Sequence, residues 1–410
     1  MEFVISGKKT TMQKKFLILI LGLYLVSAVG SFAAFSYFSP STKTGVDTMM
    51  QGSADGDEPT LLATLLTINP TDPKDQECPL NGAYFTKQER EAWEKRRPLA
   101  VMIENAPDAR PQSGMADADV VFEAVAEGGV TRFMGLFYCA VQANDTTLAP
   151  VRSARTYFIN YASGFNLPLY VHVGGANLDG PADALGQISQ YGWALENDLN
   201  QFSIGYPTFV RNSDRIKGKK VATEHTMETT TELLWAVGEE RGWTNLSPER
   251  KVGRTVVAPE EWSEGFTPWT FSDTTKSGSE ATNVAYAFWT GYDQYAVSWQ
   301  YDSTTRMYKR TMAGEPHTDL NTGEQIKAAN VIVLLTNEKG PIDELKHMLY
   351  TTEGTGKALI FQNGDAITAK WNKKTRESEL RFTDSAGKDI PMARGLTWIS
   401  VVDTSTDVTY

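Results

Sequence analysis

Apolar runs of strand length, separated by short polar turns, dominate the chain between residues 95 and 175. Most of their residues are aliphatic or aromatic, and Gly, Pro or Asn bounds them, so the pattern predicts strands with buried faces. Gly128 and Gly129, where the second run ends, predict a tight turn before the third. The runs are residues 99–105 (LAVMIEN), 118–128 (ADVVFEAVAEG), 131–141 (TRFMGLFYCAV) and 167–175 (LPLYVHVGG).

Helical spacing lies between and after these runs. Residues 86–96 (TKQEREAWEKR) begin with Thr86 and place Glu89 three residues later, which is the spacing of a capping box. Residues 154–165 and 183–195 predict two further helices, and 223–243 (TEHTMETTTELLWAVGEERGW) predict one long helix. Strands mixed with helices in this way predict an α+β or α/β domain with a mixed sheet over residues 78–245.

The pattern changes after Trp243. Residues 246–269 are rich in Pro, Glu and Gly and predict an inter-domain linker. Over residues 270–404, short segments alternate between apolar and polar positions, as in 297–301 (VSWQY), and predict a β-rich C-terminal domain. Asn363-Gly364 lies between two such segments and predicts a hairpin turn.

The N-terminal segment predicts a membrane anchor. Residues 16–38 contain no charged side chain over a length that spans a bilayer as a helix. Lysines precede this segment, so the positive-inside rule places residues 1–15 in the cytoplasm and the bulk of the chain outside, as a single-pass plasma-membrane protein. A cleaved signal peptide is the alternative. Residues 39–77 are acidic and rich in Pro, Gly, Ser and Thr, and predict a disordered linker.

Charge and residue composition limit the kinds of ligand that the protein is expected to bind. The net charge of −11 argues against nucleic acid, because a nucleic-acid binder needs a basic surface that displaces counterions. Outside the cytoplasm, Cys78 and Cys139 are free to form a disulfide, although two unlinked buried thiols fit the sequence equally well. His317 and Asp319 lack a third nearby ligand, so we predict no metal site and no cofactor.

Ionisable and polar side chains collect at the ends of the predicted strands, where neighbouring strands of a layered sheet converge. Arginine side chains bind carboxylate or phosphate through two hydrogen bonds, and opposed carboxylates act as general acid and base. We call this set the polar cluster, and predict that Glu127, Arg132, Arg152 and Arg155 surround one pocket. The cluster comprises Arg110, Gln112, Glu123, Glu127, Thr131, Arg132, Arg152, Ser153, Arg155 and His172.

Three functions fit the polar cluster. The first is binding of an anionic cell-envelope ligand, such as cell-wall glycan, by the arginines. The second is an envelope hydrolase in which Glu127 and Glu123 are the catalytic carboxylates. The third is a scaffold that docks other membrane proteins. Structural roles compete with all three: the charges can pair internally, Ser153 can cap the helix that follows it, and His172 can be a core residue.

Residues 97–138, PVRSARTYF (150–158) and YVHVGG (170–175) resemble a bacterial domain family of unknown function. NGDAITAKW (363–371) and GLTWISVV (395–402) are similar to that family's smaller C-terminal domain, so the resemblance covers residues 95–404. It implies an extracytoplasmic, membrane-tethered protein without an assigned activity, and it includes much of the polar cluster among the family's motif positions. Lipoprotein members carry a cysteine for lipid attachment, whereas no cysteine lies near residues 16–38 here.

Overall fold

The computed structural model describes residues 66–252, 254–274 and 278–410, all within one compact unit. The predicted cytoplasmic segment, the anchor over residues 16–38 and most of the acidic linker lie outside these residues. Within the described ranges, no helix is long and apolar enough to cross a membrane.

In the described part of the chain the helices are few and short, and the capping box of the first described one is confirmed. Thr86 accepts a hydrogen bond from the Glu89 backbone N–H (3.3 Å), and Glu89 accepts one from the Thr86 N–H (2.7 Å). The α-helices are α1 (Lys87–Trp93), α2 (Thr156–Ser163), α3 (Ala184–Gln190), α4 (Gln201–Ile204) and α5 (Thr231–Glu240). Single 3₁₀ turns span Pro107–Ala109, Met115–Asp117, Thr223–His225, Trp262–Gly265 and Asp293–Tyr295.

The predicted long helix over residues 223–243 is wrong in its first half. Met227–Thr230 forms a strand that pairs with two neighbouring segments, and α5 begins only at Thr231. Consecutive threonines favour strand over helix because their branched side chains restrict χ1. Thr230 then serves as the N-cap of α5 and accepts a bond from the Leu233 N–H.

One mixed sheet of eleven strands runs through the molecule, in the order β13-β23-β22-β19-β25-β4-β5-β3-β7-β8 with β24 beside β23. Its strands are β3 (Leu99–Glu104), β4 (Val120–Glu127), β5 (Val130–Phe137), β7 (Leu169–His172), β8 (Asp198–Asn200), β13 (Ser279–Glu280), β19 (Asn330–Thr336), β22 (Gly354–Gln362), β23 (Asp365–Lys373), β24 (Arg381–Thr383) and β25 (Thr397–Asp403).

Strands from the two predicted domains meet within this sheet. β4 pairs in parallel with β25, from Val120 opposite Thr397 to Glu123 opposite Ser400. The central strands β3, β4, β19 and β25 are buried along almost their whole length, as expected for strands covered on both faces. The fold is therefore mixed and rich in sheet, and its C-terminal part is almost entirely β, as the sequence pattern predicts.

The C-terminal part also contributes a second sheet, in which β14 to β18 and β26 pair. These strands are β14 (Asn283–Tyr286), β15 (Val297–Asp302), β16 (Met307–Met312), β17 (Glu315–Pro316), β18 (Lys327–Ala328) and β26 (Val408–Thr409). Short strands elsewhere are β1 (Lys74–Glu77), β2 (Tyr84–Thr86), β6 (Thr147–Leu148), β9 (Val210–Arg211), β10 (Met227–Thr230), β11 (Arg250–Val252), β12 (Thr255–Val257), β20 (Glu338–Lys339) and β21 (Leu349–Tyr350).

Two local predictions are resolved by the structure. Asn363 and Gly364 both have positive φ (54° and 84°) and join β22 to β23, which confirms the hairpin turn. Cys78 and Cys139 form a disulfide that closes a loop of sequence separation 61, and both residues are fully buried.

Candidate functional site

A cleft of about 530 Å³ lies where β7 and β8 end. These two strands are parallel, so their carboxyl ends reach the same edge of the sheet, the usual place for a ligand site in such folds. Gly174 and Gly175 follow β7 and form one wall, and α4 follows β8 and supplies Phe202. The polar side chains that line the cleft are Arg152, Ser153, Asn177, Asn200, Arg211 and Glu224.

The segment that carries Arg152 and Ser153 is held between β3 and the end of β7. The Arg152 N–H donates to the Met102 carbonyl (2.8 Å), and its carbonyl accepts from the Val173 N–H (3.1 Å). The Ala154 N–H donates to the Gly174 carbonyl (2.9 Å). The backbone of this segment is therefore fixed relative to the cleft wall.

Glu104, at the end of β3, orients the Arg152 side chain. The Arg152 Nε lies 2.5 Å from Glu104 Oε2, and the other oxygen of Glu104 accepts the backbone N–H groups of Asn105 (3.0 Å) and Ala106 (3.1 Å). Burial tends to raise the pKa of the Glu104 carboxyl, but Arg132 and Arg152 outweigh it, so the pKa lies below its ordinary value. The carboxylate thus stays charged, and in the described chain neither terminal nitrogen of Arg152 has a hydrogen-bond partner.

Glu127 lies between two arginines behind the cleft. Its oxygens lie 2.6 Å from Arg132 Nη2 and 2.7 Å from Arg155 Nη2. Burial tends to raise the pKa of Glu127, but both arginines lower it more strongly, to about 2. The same arginines donate to the backbone carbonyls of Ser153 (3.2 Å) and Ala154 (2.7 Å), so they support the segment that carries Arg152.

The structure therefore brings Glu127, Arg132, Arg152 and Arg155 together, but only Arg152 of these four lines the cleft. Arg132 is fully buried and Arg155 is 8% exposed, whereas Arg152 is 27% exposed. Their shared environment is a chain of ion pairs, because Arg132 also lies 3.7 Å from Glu104. All four residues therefore take part in internal ion pairs, and Arg152 is the one that also lines the cleft.

Glu123 does not line the cleft, because its side chain is fully buried. One oxygen accepts from Arg310 Nη2 (2.8 Å) and Trp398 Nε1 (3.1 Å), and the other accepts from the Thr131 hydroxyl (3.0 Å). Arg310 and Trp398 belong to the C-terminal part, so this network connects β4 and β5 to the strands of that part.

Gln112 and Arg110 extend the same buried network. His317 Nδ1 accepts from Arg310 Nε (2.9 Å), which leaves Nε2–H to donate to Gln112 Oε1 (2.9 Å). Burial lowers the pKa of His317 well below its usual range, in agreement with this neutral tautomer. Gln112 Nε2 and Arg110 Nε both donate to Asn105 Oδ1, at 3.0 and 3.1 Å. Sequence analysis found these polar residues but could not show that they pair with each other.

His172 is a buried residue behind the cleft wall. Its Nε2 lies 2.5 Å from Asp198 Oδ1, and its Nδ1 lies 2.6 Å from the Gly174 carbonyl. Ser153 lines the cleft and does not cap α2, because Arg155 occupies the N-cap position without a side-chain bond. The capping interpretation of Ser153 is therefore wrong, and His172 supports the site from behind.

Sequence analysis missed Asn177, Asn200, Phe202, Arg211 and Glu224. Asn200 Oδ1 accepts from the N–H groups of Gly174 (3.1 Å) and Phe202 (3.2 Å), which turns its amide nitrogen away from these contacts. Phe202 is 74% exposed although its ring packs over Gly174. Asn200 is the last residue of β8 and Phe202 lies just beyond it, and strand β8 was not predicted, so no sequence signal pointed to them.

One group of potential metal ligands occurs in the described ranges, namely Cys78, Asp119 and Cys139. The two sulfur atoms form the disulfide, so they do not offer thiolates to a metal. Burial raises the pKa of Asp119 to about 7, and this carboxyl accepts the N–H groups of Tyr138 (2.7 Å) and Cys139 (2.9 Å). The arrangement is explained by structural hydrogen bonding.

Fold and site together define a sheet-rich protein with an arginine-bearing cleft at the carboxyl ends of two parallel strands. The chain belongs to the family described as Protein of unknown function (DUF3048), whose N-terminal domain matches residues 85–244 and whose C-terminal domain matches residues 284–399.

Among known proteins, the chain is similar to "Putative lipoprotein YerB" of Bacillus subtilis (strain 168). The two are 30% identical over 334 residues, which cover 81% of this chain and 88% of that protein. The crystal structure of YerB protein from Bacillus subtilis matches with a TM-score of 0.63 and 26% identity, over 82% of this chain and 100% of that one. The resemblance found from the sequence motifs is thereby confirmed.

Proposed function

We propose that the protein binds an anionic cell-envelope ligand, such as a cell-wall glycan, in the cleft. The observation that carries this proposal is the state of Arg152. Glu104 holds its Nε, while its two terminal nitrogens have no partner in the described chain and belong to a side chain that lines the cleft. A guanidinium fixed in this way retains two parallel donors for a carboxylate or phosphate.

Other features of the cleft support an anionic ligand. Arg211 provides a second cation, and Ser153, Asn177 and Asn200 provide neutral polar groups. Because Arg132 and Arg155 fix the backbone behind Arg152, little side-chain or loop ordering remains to oppose binding. Phe202 adds an exposed apolar surface at the opening, as expected for a site that binds an organic ligand.

An envelope location is part of the proposal. The relative YerB is described as a "Putative lipoprotein", a description that supports association with a membrane. The apolar segment over residues 16–38 supports single-pass anchoring of this chain with its N-terminus in the cytoplasm.

The hydrolase hypothesis receives less support. A glycosidase needs two carboxyl groups on either side of the scissile bond, one of them with a raised pKa. Glu123 is fully buried against Arg310 and does not line the cleft, and Arg132 and Arg155 lower the pKa of Glu127 to about 2, so Glu127 is not suited to donate a proton. Among the described residues that line the cleft, Glu224 is the single carboxylate.

Co-sedimentation with purified cell-wall sacculi tests the proposal. We expect Arg152→Ala and Arg211→Ala each to weaken binding about tenfold to a hundredfold, since each removes a charged hydrogen-bond donor. Arg381→Ala is the matched control, because Arg381 is 25% exposed and pairs with one carboxylate, as Arg152 does at 27%, but lies outside the cleft. Equal binding of all four proteins would contradict the proposal, and soluble fragments in the supernatant would indicate a hydrolase instead.

A further inference from the structure

A strongly basic segment continues from the cleft. We call residues 211–220 (RNSDRIKGKK) the basic loop. It contains five cations and one carboxylate, Asp214, which gives +5 − 1 = +4, whereas the whole chain carries −11. The positive charge of this loop is opposite in sign to the net charge of the whole chain, which suggests that the loop has a specific role. The cations are Arg211, Arg215, Lys217, Lys219 and Lys220.

The basic loop is fixed to the body of the protein by some of its cations. The guanidinium of Arg215 is buried and donates to the carbonyls of His225 (2.8 Å) and Pro111 (3.0 Å). Lys219 Nζ lies 3.3 Å from the Arg110 carbonyl. These contacts hold the loop in place mainly through backbone acceptors, and Glu228 is the carboxylate that acts on Arg215.

The remaining cations face solvent. Lys217 and Lys220 are exposed, and over the described ranges neither ammonium group has a hydrogen bond or ion pair. Arg211 is exposed as well, and the only described hydrogen bond of its side chain runs to the Thr223 carbonyl (2.6 Å). Arg211 belongs both to the lining of the cleft and to the basic loop, so positive charge extends from Arg152 inside the cleft to lysines outside it.

We propose that the ligand of the cleft is a polymer of repeating anionic groups. This inference rests on the proposed function and specifies its ligand class. One phosphate or carboxylate of the polymer binds Arg152, and the groups that follow leave the cleft past Arg211 and lie along Lys217 and Lys220. A single small anion would bind entirely inside the cleft and would not contact Lys217 or Lys220.

The shape of the site favours a chain-like ligand over a membrane surface. Arg152 lies in a concave space of about 530 Å³ and is 27% exposed, so a flat bilayer that touches Lys217 and Lys220 does not reach it. A flexible polyanion can enter the cleft and follow the basic loop at once. Binding several charges in series also releases several counterions, which makes the affinity for such a ligand depend steeply on salt.

Three probes with the same headgroup chemistry test the inference on the purified protein. They are glycerol 3-phosphate, a poly(glycerol phosphate) chain and phosphatidylglycerol vesicles. Affinities are measured over a series of salt concentrations for the wild type, Arg152→Ala, and the double variant Lys217→Glu with Lys220→Glu. The control double variant is Lys357→Glu with Lys370→Glu, which changes two exposed lysines that face each other across β22 and β23.

We expect the wild type to bind the polymer at least about tenfold more tightly than the monomer, with the steeper salt dependence. The loop variant should lose this advantage, with the slope of log K against log salt shallower by about two units, and keep its affinity for glycerol 3-phosphate. Equal affinity for polymer and monomer, tighter binding to vesicles than to polymer, or a loop variant that behaves like the control would each overturn the inference. Unchanged monomer binding by Arg152→Ala would instead overturn the proposed function.

Discussion

Replacing Glu127 by glutamine removes the carboxylate that lies between Arg132 and Arg155. Arg132 is fully buried and Arg155 is 8% exposed. Without Glu127, Arg155 loses its carboxylate partner, and Arg132 keeps only the more distant Glu104 at 3.7 Å. Removing one partner of a buried ion pair is strongly destabilising, because the remaining charge stays in a poorly solvated environment.

The pKa of Glu127 gives the size of the effect. The pKa decreases from 4.5 to about 2, a difference of about 2.5 pH units. Each pH unit corresponds to about 1.36 kcal/mol. The ionised carboxylate therefore contributes about 3 kcal/mol to the free energy of unfolding. Because the pKa is lowered in the folded state, this stability is complete above pH 4.5 and is lost as the pH falls toward 2. The variant lacks the ionisable group, so it should differ from the wild type by about 3 kcal/mol at neutral pH and by little near pH 2.

Urea unfolding followed by tryptophan fluorescence at a series of pH values measures this difference. Glu91→Gln is the control: Glu91 is 57% exposed and lies 3.5 Å from Lys87 in a surface pair, for which about 0.3–0.5 kcal/mol is expected. A Glu127→Gln variant within 1 kcal/mol of the wild type at pH 7 would refute the reasoning. So would a difference of about 3 kcal/mol that persists unchanged to pH 2, since it could not then arise from the charge of Glu127.

Two further predictions concern the disulfide and the shared sheet. Changing Cys78 and Cys139 to serine should lower the free energy of unfolding by about 4 kcal/mol, which is the chain-entropy value for a loop of sequence separation 61. Urea unfolding measures the loss of stability, and a loss below 1 kcal/mol would contradict the prediction. Residues 85–244 and 284–399, expressed separately, should each fail to unfold cooperatively because β4 and β25 lose each other as partners; a sharp thermal transition or a well-dispersed NMR spectrum from either fragment would refute this.

Local pattern was sufficient to predict most strands of the C-terminal part. Val297 and Trp299 alternate with polar neighbours along β15, and the Asn363-Gly364 turn joins β22 to β23 as predicted. Both signals depend only on residues close together in sequence. The error over residues 223–243 has the opposite origin, since the strand β10 is selected by its pairing with β6 and β9, which are distant in the chain.

For the site, too, the residue types could be predicted from local sequence, whereas their contacts depend on residues distant in the chain. Sequence placed charged residues at the ends of β3, β4 and β5, and the structure brings several of them together. Which of them reach solvent depends on tertiary partners that no local pattern specifies. Arg310, which neutralises Glu123, lies 187 residues away along the chain. Phe202 lines the cleft because β8, which precedes α4, pairs with β7, and Arg211 lines it from β9, which pairs with β10.

The parallel pairing of β4 with β25 also sets the order of events during synthesis. Thr397 follows its partner Val120 by 397 − 120 = 277 residues. At about 5–20 residues per second, a ribosome needs roughly 14 to 55 s to make this stretch. During that interval one edge of β4 has no partner, and an apolar unpaired strand edge is a site for association with other chains. This edge of β4 therefore stays open to such association for most of the chain's translation.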